Sequence, residues 1–165
     1  MKLNRQTLPL NKPTAFDEDV EFSAYEFDPN YIRGINNCHV ELTATQYEDI
    51  LRIDIHIKAN VIAICAYTLE DVDLPINVKD EIDFTDDEND DTCYYAPETI
   101  IDLDDYILSL ILSAVPPKVV KKGAKLPDGG EGYRVLSEEE LAKERANKKD
   151  SRWDALDDLD LESDK

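Results

Sequence analysis

Residues 99–118, TIIDLDDYILSLILSAVPPK, carry the pattern of a single amphipathic helix. Apolar side chains recur there at intervals of three and four residues, which places them along one face of a helix. These residues are Leu103, Tyr106, Ile107, Leu110, Ile111 and Ala114, with Leu108 and Leu112 widening the apolar face. We therefore predict a mostly buried helix over residues 102–114.

Both ends of this helix are marked in the sequence. Asp102 is the predicted N-cap. Asp104 and Asp105 follow in the first turn, where carboxylates interact favourably with unpaired N–H groups and with the helix dipole. Pro116 and Pro117 end the helix, because proline has no N–H to donate and disfavours a helical residue before it.

The segment before the helix carries strand patterns. Residues 51–58 alternate strictly between large apolar and polar side chains, as in a half-buried antiparallel strand. The apolar run VIAICAY follows Ala59 and Asn60, and we predict a hairpin at this short connection. A strand over residues 72–84 is predicted at a sheet edge, because it contains Pro75. Further strands are predicted over residues 1–10, 16–27 and 38–45.

These elements predict an α+β fold in which a curved antiparallel or barrel-like sheet is packed by one amphipathic helix. We place the core domain at residues 1–117. Residues 118–165 are predicted to form a basic, glycine-rich loop, a short charged helix and an acidic tail, all peripheral to the core. Ser137 and Glu140 have the spacing of a capping box, which predicts an exposed helix over residues 137–149.

The charge of the chain limits its partners. Its 165 residues include 38 acidic and 18 basic ones, for a formal net charge of -20. Such a surface repels polyanions, which argues against DNA binding and against extensive contact with RNA. It suits a basic protein partner, and the alternative is that the charge serves only solubility.

The cysteines and the hydropathy pattern bear on the compartment. Three widely spaced cysteines without a CxxC pair argue against a disulfide framework or a zinc ribbon. No apolar run approaches the roughly 18 residues that span a bilayer, and the first ten residues lack the apolar stretch of a signal peptide. We expect a cytoplasmic protein with reduced thiols and no membrane partner.

No arrangement of residues identifies a reaction. Neither His39 nor His56 lies in a catalytic or metal-binding motif, so we predict no enzyme, no catalytic residue, no metal and no cofactor. An enzyme is the alternative, favoured by any deep pocket that gathers a histidine with carboxylates. Asp86, Glu88 and Asp90 have the spacing of calcium ligands, but the glycine and the final glutamate of such loops are absent, so a solvated acidic loop is preferred.

Several blocks occur in an order that resembles one family. They are CAYTLE at 65–70, the acidic spacer, IDL at 101–103 opening the helix that ends before Pro116, and DSRW at 150–153 with Leu156 and Leu159. Over residues 1–161 this order resembles the YceD (YlbN) family of large ribosomal RNA subunit accumulation proteins. Members commonly carry a CxRCLE block, an IDL-helix-proline block and a DPR[FW]xxLxxL block.

The chain departs from the family pattern at several positions. Tyr67 stands for the arginine and Thr68 for the second cysteine of CxRCLE, and Ser151 replaces the proline of DPR. The cysteine-rich segment of many members is also replaced, so no zinc site is carried over. Leu110 stands where an acidic residue is often found, so a role for that carboxylate is not carried over.

The resemblance implies a non-enzymatic factor required for 23S rRNA accumulation and large-subunit assembly. We expect its direct partner to be a basic ribosomal protein or an assembly factor, and direct contact with 23S rRNA stays open. Arg152, Trp153 and Leu156 are the predicted partner-binding residues, although Trp153 could instead pack on its own domain. A local RNA contact is possible because clustered charges act within a Debye length of about 8 Å. Its candidates are Lys118, Lys121, Lys122 and Lys125.

Overall fold

A computed structural model of the chain describes residues 1–147. The predicted α+β class is confirmed within these residues. The strands are β1 Lys2–Asn4, β2 Thr14–Val20, β3 Ile32–Gln46, β4 Ile50–Ile64, β5 Asp71–Thr85, β6 Tyr94–Tyr95 and β7 Ile100–Asp102. The α-helices are α1 Asp104–Ala114 and α2 Glu138–Asn147, and a short 3-10 helix covers Arg5–Thr7.

The chain divides into two compact units. The first spans Met1–Gly123 and holds all seven strands and α1. The second begins at Ala124 and includes α2. The division predicted after residue 117 stays a prediction, and each unit is described below by itself.

The main sheet has five strands in the order β2-β3-β4-β5-β6. The first four are antiparallel neighbours, whereas β6 runs parallel to β5, so the sheet is mixed. The barrel-like form of the prediction is wrong, because the strands at the two ends of this order do not pair with each other within residues 1–147. Its core face is instead closed in part by α1, which contacts β4 and β5.

The predicted hairpin at Ala59 and Asn60 is also wrong, because β4 runs through both residues without a break. The reason is visible in burial: every odd-numbered residue from Leu51 to Cys65 is buried. Ala59 keeps the alternation in phase, and Asn60 lies opposite Pro75 of β5 on the polar face. A strand can therefore continue through residues whose side chains are small or polar.

Three other predicted strands have different limits. β1 is shorter than predicted because the 3-10 helix follows it, and β2 ends at Val20, opposite Cys38. β3 starts earlier than predicted and contains a register shift between Asn36 and His39. At this bulge Asn37 has a φ of 49°, a conformation that asparagine tolerates better than most residues.

β5 forms the edge that was predicted from Pro75. It pairs with β4 over its whole length, while on its other side β6 pairs only with Phe84 and Thr85. Pro75 therefore lies on a free edge, where its missing N–H breaks no ladder.

α1 begins two residues later than predicted. Asp102 belongs to β7, which pairs with β1, and the N-cap position is Leu103. The Asp102 carboxylate still accepts the Asp104 N–H at 3.1 Å. Asp104 and Asp105 lie in the first turn as predicted, and the Asp104 carboxylate also binds the N-terminal ammonium group.

The apolar face of α1 lies in the core of the first unit. Leu103, Ile107 and Ile111 are fully buried and belong to the same cluster as the inward residues of β3, β4 and β5. Burying a large aliphatic side chain contributes about 1.5–3 kcal/mol, so this face is a major source of stability.

The second unit contains the predicted capping box. The Ser137 hydroxyl accepts the Glu140 N–H at 3.1 Å, and the Glu140 carboxylate accepts the Ser137 N–H at 2.9 Å. The bond from the Ser137 N–H, together with one from the Ser137 hydroxyl to the same carboxylate at 3.0 Å, holds the pKa of Glu140 below its ordinary value. Within residues 1–147, neither helix has the length and apolar character required to cross a lipid bilayer.

Candidate functional site

The loop between β4 and β5 folds into a tight turn with an exposed leucine. The Cys65 N–H donates to the Glu70 carbonyl at 2.8 Å, and the Leu69 N–H donates to the Cys65 carbonyl at 2.9 Å. This closure places Leu69 at a φ of 58°, which is unfavourable for a leucine, and leaves it 73% exposed. Backbone strain of this kind costs about 1–3 kcal/mol and is concentrated at functional sites, so this turn is a candidate surface.

The segment after α1 packs against this turn. The Ala66 N–H donates to the Val119 carbonyl at 2.8 Å, and the Lys121 N–H donates to the Cys65 sulfur at 3.3 Å. Donation from Lys121 is the largest of the effects that lower the pKa of the Cys65 thiol to about 7. Cys65 itself is fully buried.

Two of the lysines that were predicted as RNA contacts lie against this turn. The Lys118 ammonium is 5.1 Å from the centre of the Tyr67 ring, within the range of a cation–π contact. The Lys121 ammonium is 3.0 Å from the Glu70 carboxylate, and this bond lowers the pKa of Glu70. Lys122 is exposed next to them. We call Lys118, Lys121 and Lys122 with Tyr67 and Leu69 the lysine surface.

The lysine surface has the chemistry for binding a negatively charged partner. Its Lys121–Glu70 pair is solvent-exposed, and such pairs contribute only about 0–1 kcal/mol, so phosphate can compete for the lysine. The fourth predicted lysine, Lys125, is exposed and belongs to the second unit. RNA contact by these lysines stays a prediction.

The sequence did not identify Leu69 as a surface residue. An apolar residue after a core strand is indistinguishable from a core residue in a hydropathy pattern, and its left-handed backbone follows from the loop closure. The predicted partner-binding residues, Arg152, Trp153 and Leu156, lie outside the described residues, so their docking also stays a prediction.

The polar face of the main sheet carries both histidines. His39 Nδ1 lies 2.9 Å from an Asp19 oxygen, and His39 Nε2 lies 3.4 Å from Asp17. The hydrogen bond to Asp19 is the main reason that the pKa of His39 is raised, and the nearby charges of Asp17, Asp19 and Glu41 add to it, while burial acts in the opposite direction. This arrangement favours a protonated imidazole held between carboxylates.

His56 lies in a hydrogen-bond network on the same face. Its Nδ1 is 3.0 Å from Glu41 and its Nε2 is 2.8 Å from Asn77, so both ring nitrogens have partners. Glu41 also accepts from Lys58 at 2.8 Å, the largest contribution to its lowered pKa. Both imidazole nitrogens of His56 are therefore held by neighbouring side chains of the same face.

An open cavity of about 720 Å³ runs across this polar face. Its charged lining residues are Asp17, Glu41, Asp54, His56, Lys79, Asp80 and Glu81. It gathers a histidine with carboxylates, which is the composition that the enzyme alternative requires. Chemically, the arrangement offers mutually paired acids and bases rather than a base directed at a nucleophile.

The acidic loop has local partners of its own. The Asp87 carboxylate accepts the Asn89 N–H at 2.9 Å, and the Asp90 carboxylate accepts the Thr92 N–H at 2.9 Å. Such bonds form Asx turns. Across residues 1–147, no three acidic, histidine or cysteine side chains are grouped as they would be around a metal ion.

Comparisons with known proteins identify the family. Residues 53–160 match the family model described as "Large ribosomal RNA subunit accumulation protein YceD". The chain is also 29% identical over 153 residues to a protein of Bacillus subtilis (strain 168) described as "Uncharacterized protein YlbN", covering 87% of this chain and 86% of that protein. No solved structure gives a significant match. The matched region begins within β4, includes α1 and α2 and ends at residue 160, and the chain belongs to the YceD family.

Proposed function

We propose that the chain is a non-enzymatic ribosome-biogenesis factor, required for 23S rRNA accumulation and large-subunit assembly. The observation that carries this proposal is the family match, whose description names accumulation of the large ribosomal RNA. We propose further that it acts through protein contacts, with a basic ribosomal protein or assembly factor as the direct partner. Its net charge of -20 supports a basic partner.

Depletion of the protein tests the function directly. We expect 23S rRNA and large subunits to fall relative to 16S rRNA and small subunits, and expression of the wild-type chain to restore them. Unchanged 23S rRNA after complete depletion refutes the proposal. Affinity purification from growing cells, with both proteins and RNA identified, then names the partner. Recovery of neither ribosomal proteins nor ribosomal RNA favours the alternative, an acidic binding module unrelated to ribosomes.

The lysine surface is the proposed place of any direct RNA contact. Replacing Lys118, Lys121 and Lys122 with alanine should weaken RNA binding and reduce the dependence of log K on log salt by about 2–3, since each phosphate contact contributes roughly 0.7–0.9. Glu70→Gln is the matched opposite change, because it removes the carboxylate that competes for Lys121. Glu70→Gln should strengthen RNA binding. If the triple-alanine variant and Glu70→Gln bind RNA equally well, the lysine surface is excluded as the contact.

The C-terminal residues Arg152, Trp153 and Leu156 are proposed to dock on the partner. Truncation after Lys149 distinguishes docking from packing. Lost ribosomal association with unchanged unfolding free energy supports docking, whereas a large loss of unfolding free energy supports packing of Trp153 on its own domain.

An enzyme is the second candidate, and the cavity around His56 is the observation that favours it. His56→Gln keeps a hydrogen-bonding side chain but removes the imidazole. A non-enzymatic factor carrying this substitution should restore 23S rRNA after depletion as well as the wild type. Lost rescue by a folded His56→Gln protein, with Lys58→Gln as a control on the same face, favours catalysis.

A further inference from the structure

One edge of the main sheet is free along most of β5. Within residues 1–147 the neighbouring β6 pairs only with Phe84 and Thr85. The Thr85 carbonyl accepts the Ala96 N–H at 2.8 Å, so the backbone groups of Thr85 face this edge. Because successive residues of a strand direct their backbone groups to opposite neighbours, the other odd-numbered residues of β5 face it too.

This edge is partly protected at two points. Pro75 is one of the odd-numbered residues that face this edge, and because proline has no N–H, it offers no donor there to an added strand. The Glu81 N–H, which faces the edge as well, is taken by the Asp80 carboxylate at 2.9 Å. Between and beyond these points, no strand among residues 1–147 covers the edge-facing groups of Asn77 and Lys79. The pairing of Phe84 with Tyr94 places the Asp83 carbonyl against β6, so the free part of the edge ends at Glu81. A strand of about five residues fits along Asn77–Glu81.

A groove lies beside this edge. It has a volume of about 580 Å³ and is bounded by the end of β5, by one side of α1 and by residues just before β6. Its large apolar and aromatic lining residues are Ile82, Tyr94, Tyr106 and Leu110. The Tyr106 hydroxyl donates to the Asp80 carboxylate at 2.9 Å, and Tyr94 is 65% exposed. The groove therefore offers apolar surface directly next to open backbone groups.

The charge around the groove has one sign. All of its lining residues lie between Asp80 and Ser113, and residues 80–117 contain twelve acidic residues and no basic one. Asp83 is paired with Arg52 of β4, whose guanidinium donates to it at 2.9 and 2.8 Å. The Asp80 carboxylate accepts from the Tyr106 hydroxyl and the Glu81 N–H, both of which are uncharged. An anionic occupant would be repelled here, and so would a second copy of this acidic chain.

We propose that β5 binds an extended, lysine- or arginine-rich segment of a partner protein as an added strand along Asn77–Glu81. Backbone groups of the segment pair with the free edge, and alternate side chains enter the groove between Tyr94, Tyr106 and Leu110. Its cations face the carboxylates of residues 80–91. This inference rests on the proposed function for its biological partner, and it names the surface and the partner chemistry for that function.

A peptide probe tests strand addition on the full-length chain. The probe is a fluorescein-labelled peptide of about nine residues that alternates lysine and valine, measured by anisotropy at about 0.15 M salt. Two further peptides carry N-methyl groups either on every lysine or on every valine. A strand bonds to one edge through alternate residues, so one methylated peptide should bind normally and the other should lose tenfold or more.

Two variants of the chain locate the site. Ser109→Arg places a cation in the groove at an exposed helix position and should weaken the unmodified peptide at least fivefold. Gln6→Arg adds the same charge at an exposed position outside the groove and should leave binding unchanged. In the wild type, peptide binding should slow amide hydrogen exchange at Asn77 and Lys79.

Several outcomes overturn the proposal: no binding of the unmodified peptide, equal behaviour of the two methylated peptides, or equal binding by Ser109→Arg and wild type. Failure of the proposed function is seen separately. If the peptide binds as described and depletion leaves 23S rRNA unchanged, the ribosomal function fails and the docking site stands. If folded Ser109→Arg loses the peptide but fully restores 23S rRNA, the docking site has no part in that function.

Discussion

Replacing Ile107 with alanine tests whether α1 closes the core. Ile107 has no exposed surface and belongs to the buried cluster of the sheet. Large-to-alanine changes at such sites cost about 2–5 kcal/mol, and alanine recovers roughly 0.4 kcal/mol through its higher helix propensity. Because α1 is preceded directly by β7, which is paired with β1, the helix has little freedom to move into the cavity. We expect a net loss of about 3 kcal/mol.

Urea unfolding followed by circular dichroism measures this loss. With a slope of about 2 kcal/mol per molar urea, the midpoint should fall by about 1.5 M. Leu110→Ala is the matched control on the same helix, since Leu110 is only half-buried and lines the groove, and it should cost less than half as much. Equal losses for the two variants, or a loss below about 1 kcal/mol for Ile107→Ala, would refute the assignment of the core-facing side.

Three further predictions concern single side chains. Leu69→Asn should raise the unfolding free energy by about 0.5–1 kcal/mol, because asparagine tolerates a positive φ and little apolar contact is lost; unchanged or lower stability contradicts strain at this turn. Asp83→Asn should cost about 1 kcal/mol at pH 7 by disrupting the pair with Arg52. The pKa of Asp83 is lowered in the folded state, so this difference is complete above the unfolded pKa of about 4 and is lost as the pH falls through the lower folded pKa; unfolding curves at pH 7 and pH 3 check it. Of the thiols, only the half-exposed Cys93 should react quickly with a thiol reagent in the folded protein, and rapid labelling of buried Cys65 would contradict the packing of its loop.

The sequence predicted the elements better than their connections. The periodicity of residues 103–114 located α1 because helix periodicity and proline stops are local signals. The prediction of a hairpin at Ala59 and Asn60 was wrong because these small or polar residues were taken as the end of a strand, whereas the alternation of burial continues to Cys65. Strand order depends on pairing between distant segments, so hydropathy left an open sheet and a barrel as alternatives.

The candidate surfaces were also predicted only where the signal is local in the sequence. All four lysines were identified from their clustering in the sequence, and the structure places two of them, Lys118 and Lys121, against the turn at 65–70. The exposure of Leu69 could not be predicted, because it depends on a turn whose partners lie more than 50 residues later, at Val119 and Lys121. The groove was missed for a similar reason, since it joins β5, the residues before β6 and α1.

The two surfaces of the first unit have opposite local charge, and this resolves an apparent conflict between an acidic protein and a ribosomal RNA function. At physiological salt, charges act over about 8 Å. Phosphate at the lysine surface therefore experiences Lys118, Lys121 and Lys122 more strongly than the net charge of -20, with Glu70 as the nearest opposing group. A basic segment at β5 experiences the carboxylates of residues 80–91 instead. We therefore propose that one small domain binds a basic protein segment and a local RNA phosphate through separate surfaces, without either contact requiring a change in the other.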